Sequence, residues 1–359
     1  MVLSCGLIGL PSCGKTTIYN AITAAGAASY GRSEMNRAVV NVPDPRLDVL
    51  VAIYNPKKMM PNTIEIVDIP GLKAGSTASE GHGIQLLGHI KDVDALLHVV
   101  RCFENERIPY EYASADPARD VETVELELMV ADSQTLRRKI ERLTKRVNSG
   151  DVEAIRENGA CRKVNEALEQ GIAARRLDLT NAELTAIYDC HLVSLKPVLY
   201  IANVETAVDI EGEHVQKLRQ IATDSGANMI AISGRDEAEI WELEPEERPE
   251  FLAELGFEES SVERLINAAY TLLGLVTFFS CCEKEVHAWT CHKGDKAPVA
   301  AGKIHTDMEK GFIRMEVFNL RDLVALGSET LVARAGKMSV QGRDYEVCDG
   351  DIVNILFKN

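Results

Sequence analysis

Short runs of consecutive apolar residues alternate with helix-spaced segments along the first two-thirds of the chain. Residues 2–8, 64–67, 95–100, 198–202 and 229–232 are each short, apolar and bounded by turn or polar residues. Strands that are apolar throughout and separated by helices predict a parallel sheet covered on both faces. The third and fourth of these strands lie nearly one hundred residues apart. A crossover needs a fraction of that length, so the spacing predicts an insertion.

The insertion runs from Pro117 to about Leu192 and is rich in Glu, Arg, Leu and Ala. Val121, Val124, Leu128, Ala131, Thr135, Ile140, Leu143 and Val147 recur at three-or-four spacing with one irregular step. That is the seam of a long amphipathic helix. Asn148-Ser149-Gly150-Asp151 interrupts it, and Val164, Leu168 and Ile172 mark a second helix. Two long helices joined by a short break predict an antiparallel hairpin. The pattern suits a subdomain that only packs and an arm that touches a partner equally well.

Residues 242–259 are acidic and hold Pro245 and Pro249, reading as a rim or linker. Beyond Gly274 the pattern turns β-rich, with strands expected at 286–290, 312–317 and 352–357 and Gly-Asp turns at 294–295 and 350–351. The fold expected is α/β: a P-loop parallel sheet with an inserted helical hairpin, then a small α+β domain. Its divisions are 1–112 with 193–272 for the nucleotide domain, 113–192 for the insertion and 273–359 for the last domain.

Composition narrows the function. The 359 residues are 46% hydrophobic, enough for real cores and against general disorder. With 39 basic and 55 acidic residues the formal net charge is −16, which argues against coating nucleic acid but leaves room for a local basic patch. No apolar run is long enough to span a membrane. The apolar start lacks a basic leader and runs straight into a motif, so a signal peptide is not expected. Nine scattered cysteines form no Cys-x-x-Cys pair, which points to a reducing cytoplasm rather than a zinc or thioredoxin-type site.

Gly9-Leu10-Pro11-Ser12-Cys13-Gly14-Lys15-Thr16 fits G-x-x-x-x-G-K-[ST] between an apolar strand and a helix-prone stretch from Thr17. Glycines let successive backbone N–H groups point at phosphate oxygens. Lys15 supplies charge to the β- and γ-phosphates, and the Thr16 hydroxyl is offered to Mg²⁺. The helix behind aims its positive end at the same anion. Cys13 is either a small filler in this loop or a thiol activated by local positive potential.

Asp68-Ile69-Pro70-Gly71 follows the second strand. There Asp68 reads as a magnesium-shell residue and Gly71 as a γ-phosphate contact. Leu72 follows, and leucine cannot orient water by hydrogen bonding. His82, in Ser79-Glu80-Gly81-His82-Gly83, is the candidate to do so, though an exposed loop histidine is the plainer reading of the residues. At the base end, Asn203-Val204-Glu205-Thr206 lacks the Lys and Asp of the guanine-reading N-K-x-D, so adenine or loose base selection is expected. Ser233 and Gly234 fit the last base-contacting loop.

These motifs, with Pro43-Asp44-Pro45-Arg46-Leu47-Asp48, His98-Val99-Val100-Arg101-Cys102-Phe103-Glu104-Asn105 and Gly302-Lys303-Ile304-His305-Thr306-Asp307, resemble the YchF/Obg-like ATPase family over essentially the whole chain. The resemblance implies a G domain, a coiled-coil insertion and a C-terminal TGS domain. It implies a translation-factor-class nucleotidase that hydrolyses ATP, often in preference to GTP, on ribosomes. It also implies Mg²⁺ at Thr16 and Asp68, and a normal hydrophobic residue at Leu72.

The chain departs from the family pattern in four places. N-x-x-E becomes Asn203-Val204-Glu205-Thr206, with Glu205 one position early. Arg32, beside Ser33, stands where the first switch usually has Thr. Tyr110 stands where relatives carry a histidine proposed to aid hydrolysis, and His82 replaces an apolar residue. A Tyr of ordinary pKa is a poor base at neutral pH.

The expected function is therefore a slow, Mg²⁺-dependent ATP- or GTP-hydrolysing switch on the ribosome, with the large subunit the expected docking side. The alternative is a nucleotide-gated adaptor with little turnover; a small-molecule kinase fits poorly. Ribosomal RNA is an expected contact of the helical arm and of the TGS-like domain. That domain carries Lys303, His305, Lys310, Arg314, Arg334, Lys337 and Arg343, which equally suit a solvated surface. The chain is expected to be a cytoplasmic monomer.

Overall fold

A computed structural model describes residues 3–24, 28–29, 36–72, 75, 82–244, 246–255, 257 and 259–358; for 28–29 and 82–86 it describes the backbone alone. Contacts divide the chain into two units: Met1–Val40 with Glu65–Leu265, and Asn41–Ile64 with Ile266–Asn359.

The first unit is built on a sheet. Its strands are drawn from β1 (Ser4–Ile8), β2 (Ala28–Ser29), β3 (Asn36–Asn41), β5 (Thr63–Asp68), β6 (Ala95–Arg101), β7 (Val198–Asn203) and β8 (Asn228–Ile232), while β4 (Met59–Met60) joins the second sheet. The order is β2-β3-β5-β1-β6-β7-β8, with β5, β1, β6, β7 and β8 parallel in sequence. Every residue of β1, β6 and β7 is buried, which is why each reads as a continuous apolar run. The five predicted strands are all present. The sequence reading missed β3, whose alternating exposed and buried positions leave only Ala38 and Val40 inside.

Helices α1 (Lys15–Ala24), α3 (His82–Asp92), α7 (Glu213–Asp224) and α8 (Gly234–Glu242) belong to this unit; α2 (Pro45–Tyr54) belongs to the other. The insertion supplies α4 (Pro117–Asn148), α5 (Val152–Glu169) and α6 (Asn181–Ile187). Asp116 caps α4 ahead of Pro117 and Asp151 caps α5, where a side-chain oxygen and a fixed φ favour helix starts. Ile172 lies past the end of α5. The shared core of the hairpin contains Met129, Leu136, Cys161, Val164, Leu168, Ile187 and Cys190. Fully buried Asp132 accepts Val193 N–H (2.9 Å), Ser194 N–H (2.7 Å) and the Ser194 hydroxyl (2.5 Å), fastening α4 to the chain returning toward β7.

The second unit contains β9 (Leu275–Cys281), β10 (Val286–His292), β11 (Phe312–Asn319), β12 (Ser339–Gln341) and β13 (Asp351–Phe357), in the sheet order β12-β11-β13-β9-β10-β4. Leu47 and Leu50 of α2 pack with Phe279, Val286, Ala288, Phe318 and Ile352. Segment 41–64 therefore folds with the C-terminal chain, whereas the sequence reading ran the nucleotide domain through 1–112. Nothing local in 41–64 records this, because its partners lie more than two hundred residues away. Among the described residues no helix is long and apolar enough to cross a membrane.

Candidate functional site

After β1 the chain curls through Gly9 (φ 147°), Ser12 (φ 59°) and Gly14 (φ 98°) into α1. A Cβ on Gly14 would stand 2.0 Å from Asn203 Nδ2, so position 14 admits only glycine. Buried Lys15 turns back along the loop, its Nζ donating to the carbonyls of Gly9 (3.1 Å) and Leu10 (2.8 Å). Thr17 sits on the first turn of α1, and the N-terminus of that helix stands behind the loop.

Thr16 Oγ1 donates to Asp68 Oδ2 at 3.1 Å. Two oxygen donors converging beside a phosphate loop suit Mg²⁺, which takes one or two protein oxygens and completes its shell with water and phosphate. Burial raises the Asp68 carboxyl above its usual range, and the Thr16 hydroxyl, Lys15 and Asn36 oppose that rise. Past Asp68, the Ile69 N–H donates to Leu7 O (3.2 Å) and the Leu72 N–H to Gly9 O (3.1 Å), stitching this turn to the phosphate loop. A Cβ on Gly71 would lie 2.9 Å from Pro11 N, so the close approach demands glycine. Leu72 is fully buried among Leu10, Ile69, Ile90 and Val93, so it contributes packing and no water contact.

The loop opens into a cavity of about 440 Å³ lined by Ser12, Gly14, Lys15, Thr16, Thr17, Phe103, Ile108, Asn203, Val204, Glu205 and Arg235. Asn203 bridges two loops: its Nδ2 donates to Cys13 O (2.9 Å) and its Oδ1 accepts the Gly234 N–H (3.3 Å). Buried Val204 donates its N–H to Ile232 O at 3.0 Å. Ser233 caps α8, accepting the Asp236 N–H, and donates its hydroxyl to Glu205 O, both at 3.2 Å. Glu205 faces the cavity, while Thr206 is held in a capping box with Asp209. The structure thus brings the phosphate loop, Asp68, Gly71, Asn203–Glu205 and Ser233–Gly234 to one end of the sheet, outside the carboxyl ends of parallel strands.

Residues 4–146 match a family model described as 50S ribosome-binding GTPase. Residues 275–358 match the C-terminal domain model of YchF GTPases, described as a protein of unknown function. The chain is 42% identical to the ribosome-binding ATPase YchF of Bacillus subtilis, over 99% of this chain and 100% of that one. Identity to the protein of the same name in Haemophilus ducreyi is 44%, over 99% of both chains. The solved structure of the Schizosaccharomyces pombe YchF GTPase superposes with a TM-score of 0.86 at 31% identity, covering 99% of this chain and 97% of that one. The chain belongs to the YchF family.

Within that family frame, the departures acquire positions. The Tyr110 hydroxyl donates to Asp120 on α4, and its ring lies 4.6 Å from the Arg101 guanidinium carbon. Burial and then the Asp120 hydrogen bond push its hydroxyl far above the usual range, so Tyr110 is a tether and not a base. His82 is the first residue of α3, and its side chain falls outside the described residues, as do Arg32 and Ser33. Of the two readings of Cys13, the small filler fits. The residue is buried, and burial raises its pKa more than neighbouring Lys15 lowers it.

Sequence reasoning missed Phe103, Asn105, Ile108 and Arg235 at the base end, and Arg101 behind them. Buried Arg101 donates to Phe103 O (3.2 Å), Asn105 O (3.1 Å) and Ser12 O (3.5 Å), and stacks 4.3 Å from the Phe103 ring. The usable signal was position: the run 101–105 leaves β6 at the same sheet end as the phosphate loop.

Proposed function

We propose that this YchF-family chain is a ribosome-associated nucleotidase that hydrolyses ATP to ADP and phosphate and acts as a slow nucleotide-dependent switch. The observation that carries the reading is one cavity joining a complete phosphate loop to an end lined by Phe103, Ile108, Asn203, Val204, Glu205 and Arg235. Two relatives compared above bear the name ribosome-binding ATPase. Gly9 through Thr17 hold the phosphates, with Lys15 neutralising charge that develops on the transferred group. Thr16 and Asp68 hold Mg²⁺, which when bound polarises the phosphate oxygens. Gly71 contacts the γ-phosphate, and Asn203, Val204, Glu205, Ser233 and Gly234 shape the base end.

Slow turnover is supported by the state of the two positions where a water-activating side chain would stand. Leu72 is packed away and Tyr110 is tethered, so neither activates water. That arrangement also favours the second reading, a nucleotide-gated adaptor. Phosphate release separates them. Lys15→Ala should abolish a measurable Mg²⁺-dependent release of phosphate from ATP. Wild-type protein that binds ATP yet releases nothing above background would establish the adaptor instead.

The ribosomal contact we assign is to RNA, through the helical arm. Arg138, Arg142 and Lys145 share one exposed face of α4 at helical spacing and form no ion pair among the described residues. Lys91, Thr135 and Glu141 line the same shallow surface as Arg138 and Arg142. A strip whose cations outnumber its one carboxylate, on a chain of net charge −16, attracts phosphate backbone. The triple change of Arg138, Arg142 and Lys145 to Glu should abolish co-sedimentation with large ribosomal subunits while leaving ATP affinity unchanged. Undiminished co-sedimentation would move the contact to another surface, with the C-terminal unit tested next. We place the protein in the cytoplasm, as a monomer.

A further inference from the structure

The base end of the cavity holds a carboxylate that is positioned from outside its own loop. Asn105 Nδ2 lies 3.1 Å from Glu205 Oε1 and 3.3 Å from Oε2, donating to the carboxylate from one side. Asn105 is itself fixed, since its Oδ1 accepts the Arg107 N–H (2.9 Å) and its carbonyl accepts from Arg101 Nη2 (3.1 Å). Arg101 in turn reaches Ser12 O of the phosphate loop and backs the Phe103 ring. A chain of contacts therefore runs from the phosphate loop through a buried arginine to the Glu205 carboxylate.

An ionised carboxylate only accepts hydrogen bonds. Arg235 Nη1 stands 3.9 Å from Glu205 Oε1, but Arg235 also faces Glu239 at 3.5 Å and Asp236 at 3.9 Å, so it does not cancel the negative edge toward the cavity. Thr206 has no carboxylate for the N1 and N2 protons of guanine, and its hydroxyl is engaged by Asp209. We infer that Glu205, held in place by Asn105, accepts a hydrogen bond from the 6-amino group of the purine, so that Asn105 is a positioning residue for base selection. A 6-oxo group at that point would set acceptor against acceptor. The inference rests on the reading of this cavity as the ATP site.

Equilibrium binding in Mg²⁺ of ATP, purine riboside triphosphate (no 6-substituent), ITP and GTP tests it. Wild-type protein should bind ATP roughly 10-fold or more tighter than purine riboside triphosphate, as a hydrogen bond to a charged group commands, with ITP weakest. Glu205→Ala should bring ATP down to the purine riboside level without moving purine riboside triphosphate itself, whose affinity also reports that the fold is intact. Asn105→Ala should lower the ATP to purine riboside ratio at least about threefold, again at constant purine riboside affinity. An unchanged ratio in Glu205→Ala, or equal weakening of both ligands, overturns the inference. GTP binding tightest and lost in Glu205→Ala overturns it in favour of the guanine edge. Failure of wild-type protein to bind any of the four removes the nucleotide reading and this one together.

Discussion

Lys15 and Asn203 show how single side chains hold the loops of this site together. Lys15 is looped back onto two carbonyls of its own turn, and Asn203 ties Cys13 O to the Gly234 N–H. Asn203→Ala should therefore weaken ATP and GTP alike, by roughly 10-fold or more from lost loop positioning, a base-independent effect measurable by titration. Gly14→Ala should fail more completely, because the added methyl collides with the Asn203 amide. Cys13 should resist alkylation in native protein while exposed Cys282 and Cys348 react quickly, as mass mapping of iodoacetamide adducts would reveal. The phosphate loop, Asp68 and Gly71 were legible because their chemistry is written in contiguous residues. Asn105 and Arg235 were not, because each matters through a partner on another strand's loop. The two readings of Cys13 stayed open because sequence shows a nearby lysine but not the depth of burial.

At the scale of elements, α4 does more than extend an arm. The Glu127 carboxylate on α4 accepts the Gly75 N–H at 2.6 Å, just past the Gly71 turn that approaches the phosphate loop. If Gly71 meets the γ-phosphate as proposed, its loss would be felt on α4 through this hydrogen bond together with the packing of Leu72 in one core with Val121, Val124 and Leu128. Hydrogen exchange across residues 71–90 and the first half of α4 should differ between an ATP analogue and ADP, and Glu127→Ala should reduce the difference on α4. Asp132→Ala strands two N–H groups and a hydroxyl in a buried site and should cost about 3 kcal/mol by denaturant unfolding. Glu183 pairs with Lys163 and closes the capping box of α6 with Thr180, and the Lys163 ammonium first, then the Thr180 N–H and hydroxyl, hold its carboxyl down at about 2 from 4.5. A lowered folded-state value means its stabilisation is complete above pH 4.5 and lost as pH falls toward 2. Melting of the arm should decline over that window, and Glu183→Gln should flatten the decline. The seam of α4 was readable from helical periodicity, whereas Asp132 and Lys139 were invisible because a charged residue at a seam position reads as solvent-facing.

At the scale of the whole chain, the notable feature is that the second unit is assembled from two distant segments. Without α2, the Phe279, Ala288 and Ile352 face of the C-terminal sheet loses Leu47 and Leu50. A fragment of residues 266–359 should therefore show no cooperative thermal transition, while the same fragment fused to residues 41–64 should melt cooperatively. The α/β class and the β-rich C-terminus were plain in the pattern of strands, but this pairing carries no periodicity and no motif. Its consequence extends to synthesis on the translating ribosome. Leu47 and Leu50 emerge more than two hundred residues before the strands that cover them. The roughly 300 residues from Leu50 to the end of β13 take about 15–60 s at 5–20 residues per second, during which the segment waits without its full cover. The nascent chain is then a client for chaperones, and it stays one until its last strand, β13, has left the exit tunnel. Chains arrested near residue 262 should be cut by protease within 41–64, and released full-length chains should not.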